Sequence, residues 1–256
     1  MSLVVRFGVL RFHSVKFEKD ELASNLARIE ERIAQAAARS GREAGDVTLV
    51  AVSKTFPAEA IRAAHELGVR DFGENRVQEW DAKREALSDL DLTIHLIGHL
   101  QSNKARRAAQ IFSAIDSVDS ISLARRIDAA LAEGAGAGSA RLPILIEVRL
   151  AAEESKSGVP EGELVALIDS ILVLPRVEMR GLMAIPPFLD NPEDVRPYFR
   201  RLRELHESTR KRLPACAAKS FTEISMGMSH DFEVAIEEGA TQVRVGSALF
   251  GSRTRQ

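Results

Sequence analysis

The stretch Val50-Ala51-Val52-Ser53-Lys54-Thr55-Phe56-Pro57 ends an apolar, valine-rich run on a single lysine. A strand end that delivers one amine into a pocket is suited to holding an aldehyde: the neutral amine attacks the carbonyl carbon and a Schiff base results. A free lysine, with a pKa near ~10.4, is almost wholly protonated at neutral pH, so this chemistry needs a dry or positively charged surround. A lysine after a strand is more often a solvated loop charge, so neighbouring residues must decide between the two. Two further stretches bear on that choice. Ser225-Met226-Gly227-Met228-Ser229 precedes a helical pattern opening on His230-Asp231, and Gly246-Ser247 precedes a last helical turn. Small residues let backbone N–H groups approach an anion, and a helix N-terminus favours negative charge. The same spacing also suits ordinary glycine turns with serine caps. Arg244 stands two residues before Gly246 and shares its face on a strand. An arginine aimed into a barrel mouth is costly unless it meets a ligand or an acid.

Other candidates carry less. His95 and His99 lie in a strand and its loop rather than on one helix, and a zinc site needs more ligands than stand nearby, so no metal is expected. Asp116, Asp119 and the Glu153-Glu154 pair read as helix caps or solvent-facing charges rather than as an acid and a base. His65, on a helix, reads as surface or half-buried. Cys216 has no convincing local base and reads as a structural or incidental thiol; as the single cysteine it excludes an internal disulfide.

The elements that must position these residues alternate. A helix opening at Glu18 carries Leu22, Leu26, Ile29 and Ile33 at helical spacing and stops at Gly41. Strands are expected over 47–53, 69–72, 92–97, 111–115, 142–148, 177–182, 221–225 and 241–245. Helices are expected between them, over 58–67, 74–87, 103–110, 120–133, 161–172, 192–211 and 231–238, with a glycine-rich loop over 134–139. Eight strands alternating with helices imply a parallel sheet and favour a single-domain (β/α)8 TIM barrel with an extra N-terminal helix; an open doubly wound sheet is the alternative. In a barrel the residues after each strand share one rim. Lys54, Gly73-Glu74-Asn75-Arg76, Gly98 to Lys104, Met183 to Pro187, Ser225 to Asp231 and Gly246-Ser247 would then meet there.

Composition sets the outer limits. The chain has 256 residues, 45% of them hydrophobic, enough for one sizeable core in residues 18–256. A net charge of -2 gives no basic field for nucleic acid, and no run of about 18 apolar residues suggests a membrane span. Residues 1–17 contain Arg6, Arg11 and Lys16 and no acid, and read as a disordered or loosely docked arm.

Taken together, the chain resembles the pyridoxal 5′-phosphate homeostasis proteins of the YggS/PROSC type, from about Glu18 to Gly251. The carriers are Val50-Ala51-Val52-Ser53-Lys54-Thr55, Phe72-Gly73-Glu74-Asn75-Arg76-Val77-Gln78-Glu79, Ile97-Gly98-His99-Leu100-Gln101-Ser102-Asn103-Lys104, Ser117-Val118-Asp119-Ser120, Gly181-Leu182-Met183, Ser225 to Asp231 and Val243-Arg244-Val245-Gly246. The resemblance implies a barrel of the alanine racemase N-terminal type that binds pyridoxal phosphate. Lys54 would hold the aldehyde as a Schiff base. Ser225, Gly227, Gly246 and Ser247 would hold the phosphate, Arg244 would face the pyridine nitrogen, and Asn75 would lie beside the ring or its 3-hydroxyl. Departures are Ile94-His95 where the family usually has Trp-His, Ile224 for leucine, and Val148-Arg149 where Val-Asn is expected; Arg149 adds a charge near the mouth.

A racemase of this fold type needs a second base, a tyrosine from a β-rich second domain. The chain ends at Gln256 just after the phosphate loop, and its one tyrosine, Tyr198, falls in a helix far from the rim motifs. An arginine at the ring nitrogen also disfavours ring protonation and weakens the electron sink. The expectation is a monomeric cytoplasmic carrier or buffer in vitamin B6 homeostasis that serves apo pyridoxal-phosphate enzymes without catalysis of its own. A weak pyridoxal-phosphate enzyme such as an amino-acid racemase is the alternative, and a phosphate-binding barrel without a covalent cofactor a third.

Overall fold

The computed structural model describes residues 19–134, 141–151 and 157–251. The N-terminal arm, most of the glycine-rich loop and the Glu153-Glu154 pair lie outside the described residues. The strands are β1 (Thr48–Val52), β2 (Asp71–Glu74), β3 (Thr93–Leu96), β4 (Ala114–Val118), β5 (Leu142–Arg149), β6 (Val159–Pro160), β7 (Val177–Met183), β8 (Glu223–Met228) and β9 (Gln242–Val245). They pair in parallel in the order β4-β3-β2-β1-β9-β8-β7-β5, and β4 pairs with β5 to close the ring. Eight strands thus form a (β/α)8 barrel, as expected; the open sheet is excluded by that closing pair. The short β6 adds to the free end of β5 through Val148↔Val159 and was not foreseen.

The expected helices form the outer layer. Helix α1 (Lys19–Arg39) buries Leu22, Leu26, Ile29, Ile33, Ala36 and Ala37, and Gly41 turns the chain away from it at φ +70. The remaining helices are α2 (Ala58–Glu66), α3 (Val77–Lys83), α4 (Ala105–Ile111), α5 (Ile121–Gly134), α6 (Glu161–Ile171), α7 (Arg196–Arg212), α8 (Ala215–Ser220), α9 (Phe232–Glu237) and α10 (Ser247–Phe250). α8 is the one helix without a counterpart in the sequence pattern. Ser120 Oγ accepts from Leu123 N at 3.3 Å and so caps the start of α5. Tyr198 packs, partly buried, against the apolar core of the helical layer.

Strand register sorts the residues onto two faces. Ala51, Phe72, Ile94, Val243 and Val245 join the apolar core beneath the helices. The alternate residues face the barrel interior: Val50 pairs with Arg244, Val52 with Gly73, and Gly73 with His95. That interior is polar in its middle, where His95, Asp116, Glu147, Ser225, Glu223 and Arg244 meet; all but the half-exposed Glu223 are buried.

Two boundaries differ from the sequence reading in ways that matter. Ile111 closes α4, so β4 starts at Ala114 and Asp116 becomes a mid-strand residue. Asp116 is 1% exposed and bonds to His95, so it neither caps a helix nor sits in solvent. β8 runs on to Met228, so Ser225 and Gly227 are strand residues and the loop starts at Ser229. The register between β8 and β9 shifts between Ser225 and Met228, and Gly227 sits in that irregularity at φ +88. A glycine that interrupts alternation looks like a loop in sequence and is a bulge in the sheet.

Candidate functional site

β1 carries Lys54 to the rim. Ser53 N donates to Gly73 O at 3.0 Å, extending the β1–β2 ladder to the residue before the lysine. Thr55 then turns sharply, with φ 68, the one non-glycine residue of positive φ among the described residues. A threonine in that region is strained, and such strain gathers where a side chain must be aimed. Pro57 opens α2 immediately afterwards.

A buried ion pair holds this strand end from behind. Glu74 is fully buried; its Oε1 accepts from Ser53 Oγ at 2.7 Å and from Lys83 Nζ at 2.8 Å. Lys83 Nζ also donates to Ser53 O at 3.0 Å. Burial pushes the Glu74 carboxyl above its ordinary range, and Lys83 works against that shift. The sequence placed Glu74 on the rim without a role and did not single out Lys83.

The rim opens into a cleft of ≈ 300 Å³. Five of the seven expected cofactor-binding residues line it: Lys54, Asn75, Arg244, Gly246 and Ser247. Asn75 has room because Gly98 has no side chain; a Cβ there would lie 2.3 Å from Asn75 O. Arg244 is 3% exposed, donating from Nη1 to Ser225 Oγ at 2.7 Å and from Nη2 to Ala184 O at 2.9 Å. Burial lowers its pKa, and Asp116, Glu147 and Asp231 act in the opposite direction. The inward arginine therefore meets a hydroxyl, a carbonyl and three nearby acids.

Ser225 and Gly227 do not line the cleft. Ser225 lies beneath it as the acceptor for Arg244. Gly227 backs onto α9, where a Cβ would lie 2.5 Å from Ala235 Cβ and 2.9 Å from Phe232 Cα. Ser229 occupies the rim instead. Its Oγ accepts from Gly246 N at 3.2 Å and Ala248 N at 3.4 Å, tying the β8 loop to the turn after β9. Gly246 is itself tight, since a Cβ would stand 3.2 Å from Val52 Cβ. Asp231 stiffens the loop by accepting from Met228 N at 2.6 Å, and burial raises its carboxyl pKa. Ser229 belongs to the Ser-x-Gly-x-Ser stretch read from the sequence; only the strand boundary shows which serine reaches the rim.

Sequence reasoning placed Ile185 on the rim but did not single out Ile97 or Phe188 as walls. Ile97, Ile185 and Phe188 line the cleft, and Phe188 packs on His230 with ring centroids 5.1 Å apart. His230 Nε2 in turn lies 3.0 Å from Asp190 O. Below the cleft, His95 bridges Asp116 (Nδ1, 3.1 Å) and Asp71 (Nε2, 3.2 Å). Burial alone would lower the His95 pKa, but the two carboxylates outweigh it and raise it to about 10. Both ring nitrogens of His95 are thus engaged by carboxylates below the cleft. Among the described residues no group of three or more His, Cys, Asp or Glu is placed to hold a metal ion. No helix of those residues is long and apolar enough to cross a membrane.

One amine, one buried guanidinium, a serine-bridged glycine turn and apolar walls therefore converge at the C-terminal end of a parallel barrel. Such a cleft suits a flat ring bearing a carbonyl and an anionic tail. A family profile described as alanine racemase, N-terminal domain, matches residues 24–254. The chain is 47% identical to the pyridoxal phosphate homeostasis protein of Aquifex aeolicus over 228 residues, 89% of this chain and 96% of that one. It is 39% identical to that of Escherichia coli over 239 residues, 91% of this chain and 97% of that one. It superposes on PipY of Synechococcus elongatus solved with PLP bound, with a TM-score of 0.76 at 40% identity, covering 90% of this chain and 100% of PipY. Alanine racemase of Corynebacterium glutamicum, at 18% identity and a TM-score of 0.65, covers 92% of this chain and 62% of its own, and shares the fold. The chain belongs to the alanine racemase N-terminal domain family and, within it, to the pyridoxal phosphate homeostasis proteins.

Proposed function

We propose that this protein binds pyridoxal 5′-phosphate with Lys54 as its covalent tether and serves vitamin B6 homeostasis as a carrier or buffer. The observation that carries this reading is the convergence of Lys54, Arg244 and the Ser229-linked Gly246-Ser247 turn on one cleft. The cofactor supplies an aldehyde carbon and a conjugated pyridine ring. Gly246, Ser247 and Ser229 form the cradle for the phosphate, with Gly246 close against Val52, where an added Cβ would stand 3.2 Å from Val52 Cβ. Arg244 serves the ring nitrogen, and Ser225 orients Arg244 rather than touching the phosphate. Gly227 lets α9 close on the loop. Asn75 lies beside the ring or its 3-hydroxyl.

Absence of catalysis is part of the proposal. A permanently charged guanidinium at the ring nitrogen leaves it no proton to gain, so the ring accepts electrons poorly. Tyr198 is committed to the helical layer, away from the cleft. The recipients are apo-enzymes of the cytoplasm that need the same cofactor. The homeostasis names of the 47% and 39% identical relatives support this reading.

The test is the visible spectrum of the protein as purified, followed by borohydride reduction and peptide mapping. The expected result is a reducible absorbance whose label maps to Lys54 and is absent from Lys54→Ala; label elsewhere, or none, overturns the tether. Incubation with L-amino acids in deuterium oxide separates carrier from weak racemase. Robust α-proton exchange that disappears in Lys54→Ala would overturn the carrier.

A further inference from the structure

A second, larger cavity of ≈ 580 Å³ opens at the same mouth, and Ile185 borders both it and the Lys54 cleft. Glu147 and Arg149 of β5 line it, together with His99 and Ser157. Residues two apart on a strand face the same side at a spacing of about 7 Å, so these opposite charges stand next to one another. No hydrogen bond or ion pair joins them. Glu147 is 4% exposed; its Oε1 accepts from Ser157 Oγ at 2.7 Å, while Oε2 has no hydrogen-bond partner. Burial pushes the Glu147 carboxyl pKa up, Asp119 adds to this, and Arg244 and His99 oppose it. A buried carboxylate oxygen left without a donor is destabilising, and a ligand that supplies one would relieve it.

We propose that this cavity binds a free α-amino acid, with its ammonium on Glu147 Oε2 and its carboxylate on the Arg149 guanidinium. The pairing of groups selects the ligand. An amine alone satisfies Glu147 and leaves Arg149 unused, and a carboxylate alone does the reverse. Among the described lining residues a metal cation finds one carboxylate, a hydroxyl and an imidazole beside a repelling guanidinium, a poor donor set. The planar guanidinium takes a carboxylate bidentately, and the ammonium on the adjacent α-carbon then faces the glutamate. The cavity is much larger than these two groups, so side chains of several kinds fit. Lys54 is not among the residues lining this cavity, so the site does not rest on the Lys54 tether.

Calorimetric titration of full-length Lys54→Ala protein with glycine, L-alanine and L-glutamine tests this, since the variant removes the amine tether of the neighbouring cleft. Saturable binding with millimolar or lower Kd is expected, and ethylamine and propionate should bind at least about tenfold more weakly. Glu147→Gln and Arg149→Asn should each weaken binding by about tenfold or more with unchanged circular dichroism. Failure of all three amino acids to saturate by about 50 mM overturns the site. So does equal affinity in either variant, or ethylamine matching L-alanine. Binding seen in the parent protein and lost in Lys54→Ala places the amino acid on the Lys54-held aldehyde and also overturns it. Should Glu147→Gln fail to fold, the half-buried Arg149→Asn carries the same comparison alone.

Discussion

Arg244 Nη1 stands 2.7 Å from Ser225 Oγ, and both side chains are sealed from solvent inside the barrel. The serine that the sequence offers as an anion ligand accepts a hydrogen bond from the arginine that reaches the cleft. Ser225→Ala leaves that N–H without its acceptor. The expected cost is about 1–3 kcal/mol, read as a lower urea midpoint. The reducible absorbance should also wash out faster on dialysis. Loss of the absorbance with an unchanged midpoint would instead make Ser225 a direct ligand.

Among the described residues, Lys83 is the one cation bonded to the fully buried Glu74. Lys83→Met leaves a buried carboxylate facing only Ser53, at an expected cost of about 3–5 kcal/mol at neutral pH. The pH dependence has a definite sign. The folded-state pKa of Glu74 is already raised, and removing Lys83 raises it further. A carboxyl held above its unfolded value contributes stability at low pH that is lost as pH rises through the folded value. The deficit of Lys83→Met should therefore shrink between about pH 7 and about pH 5. A pH-independent deficit would show that lost packing, not charge, is the cause.

His95, with a pKa raised to about 10, gives the opposite end of the pH scale its signature. A histidine raised above its unfolded value contributes stability that is complete below about pH 6.5 and is lost as pH climbs toward 10. Denaturation midpoints should fall across that window, by at most about 1.4 kcal/mol per pH unit for one proton. His95→Gln should be destabilised at pH 7 and should lose this slope. A slope that survives the substitution would assign it to another group.

Gly227→Ala tests the bulge rather than the cleft. The new Cβ would sit 2.5 Å from Ala235 Cβ on a backbone at φ +88. Overpacking and backbone strain together predict a loss of at least about 1–3 kcal/mol, seen as a lower thermal midpoint. A midpoint within a degree of the parent would mean that α9 shifts freely, and that the glycine serves the ligand instead.

The sequence read the frame of the site well where signals are local. Valine-rich runs alternating with helical stripes pointed to the barrel; the rim position of Lys54, Asn75, Gly246 and Ser247 followed from which residues succeed each strand, and the inward face of Arg244 from its spacing to Gly246. It misread Asp116 because that reading depends on a strand boundary, and boundaries are set by pairing with distant strands. Gly227 looked like loop chemistry because a bulge and a turn use the same residue.

What the sequence determined alone was the inventory and its order: one lysine after the first strand, small residues after the last two, an arginine two positions before a glycine. Alternation and helical period are short-range properties, so the chain displays them unfolded. The tertiary structure decided who meets whom. Lys83 clasps Glu74 behind Lys54, Ser225 accepts from Arg244, Ser229 takes the rim, and Glu147 is left beside Arg149 with one oxygen unpartnered. Each of these depends on barrel closure and strand register, which turn residues far apart in the chain into neighbours and choose the face each one presents.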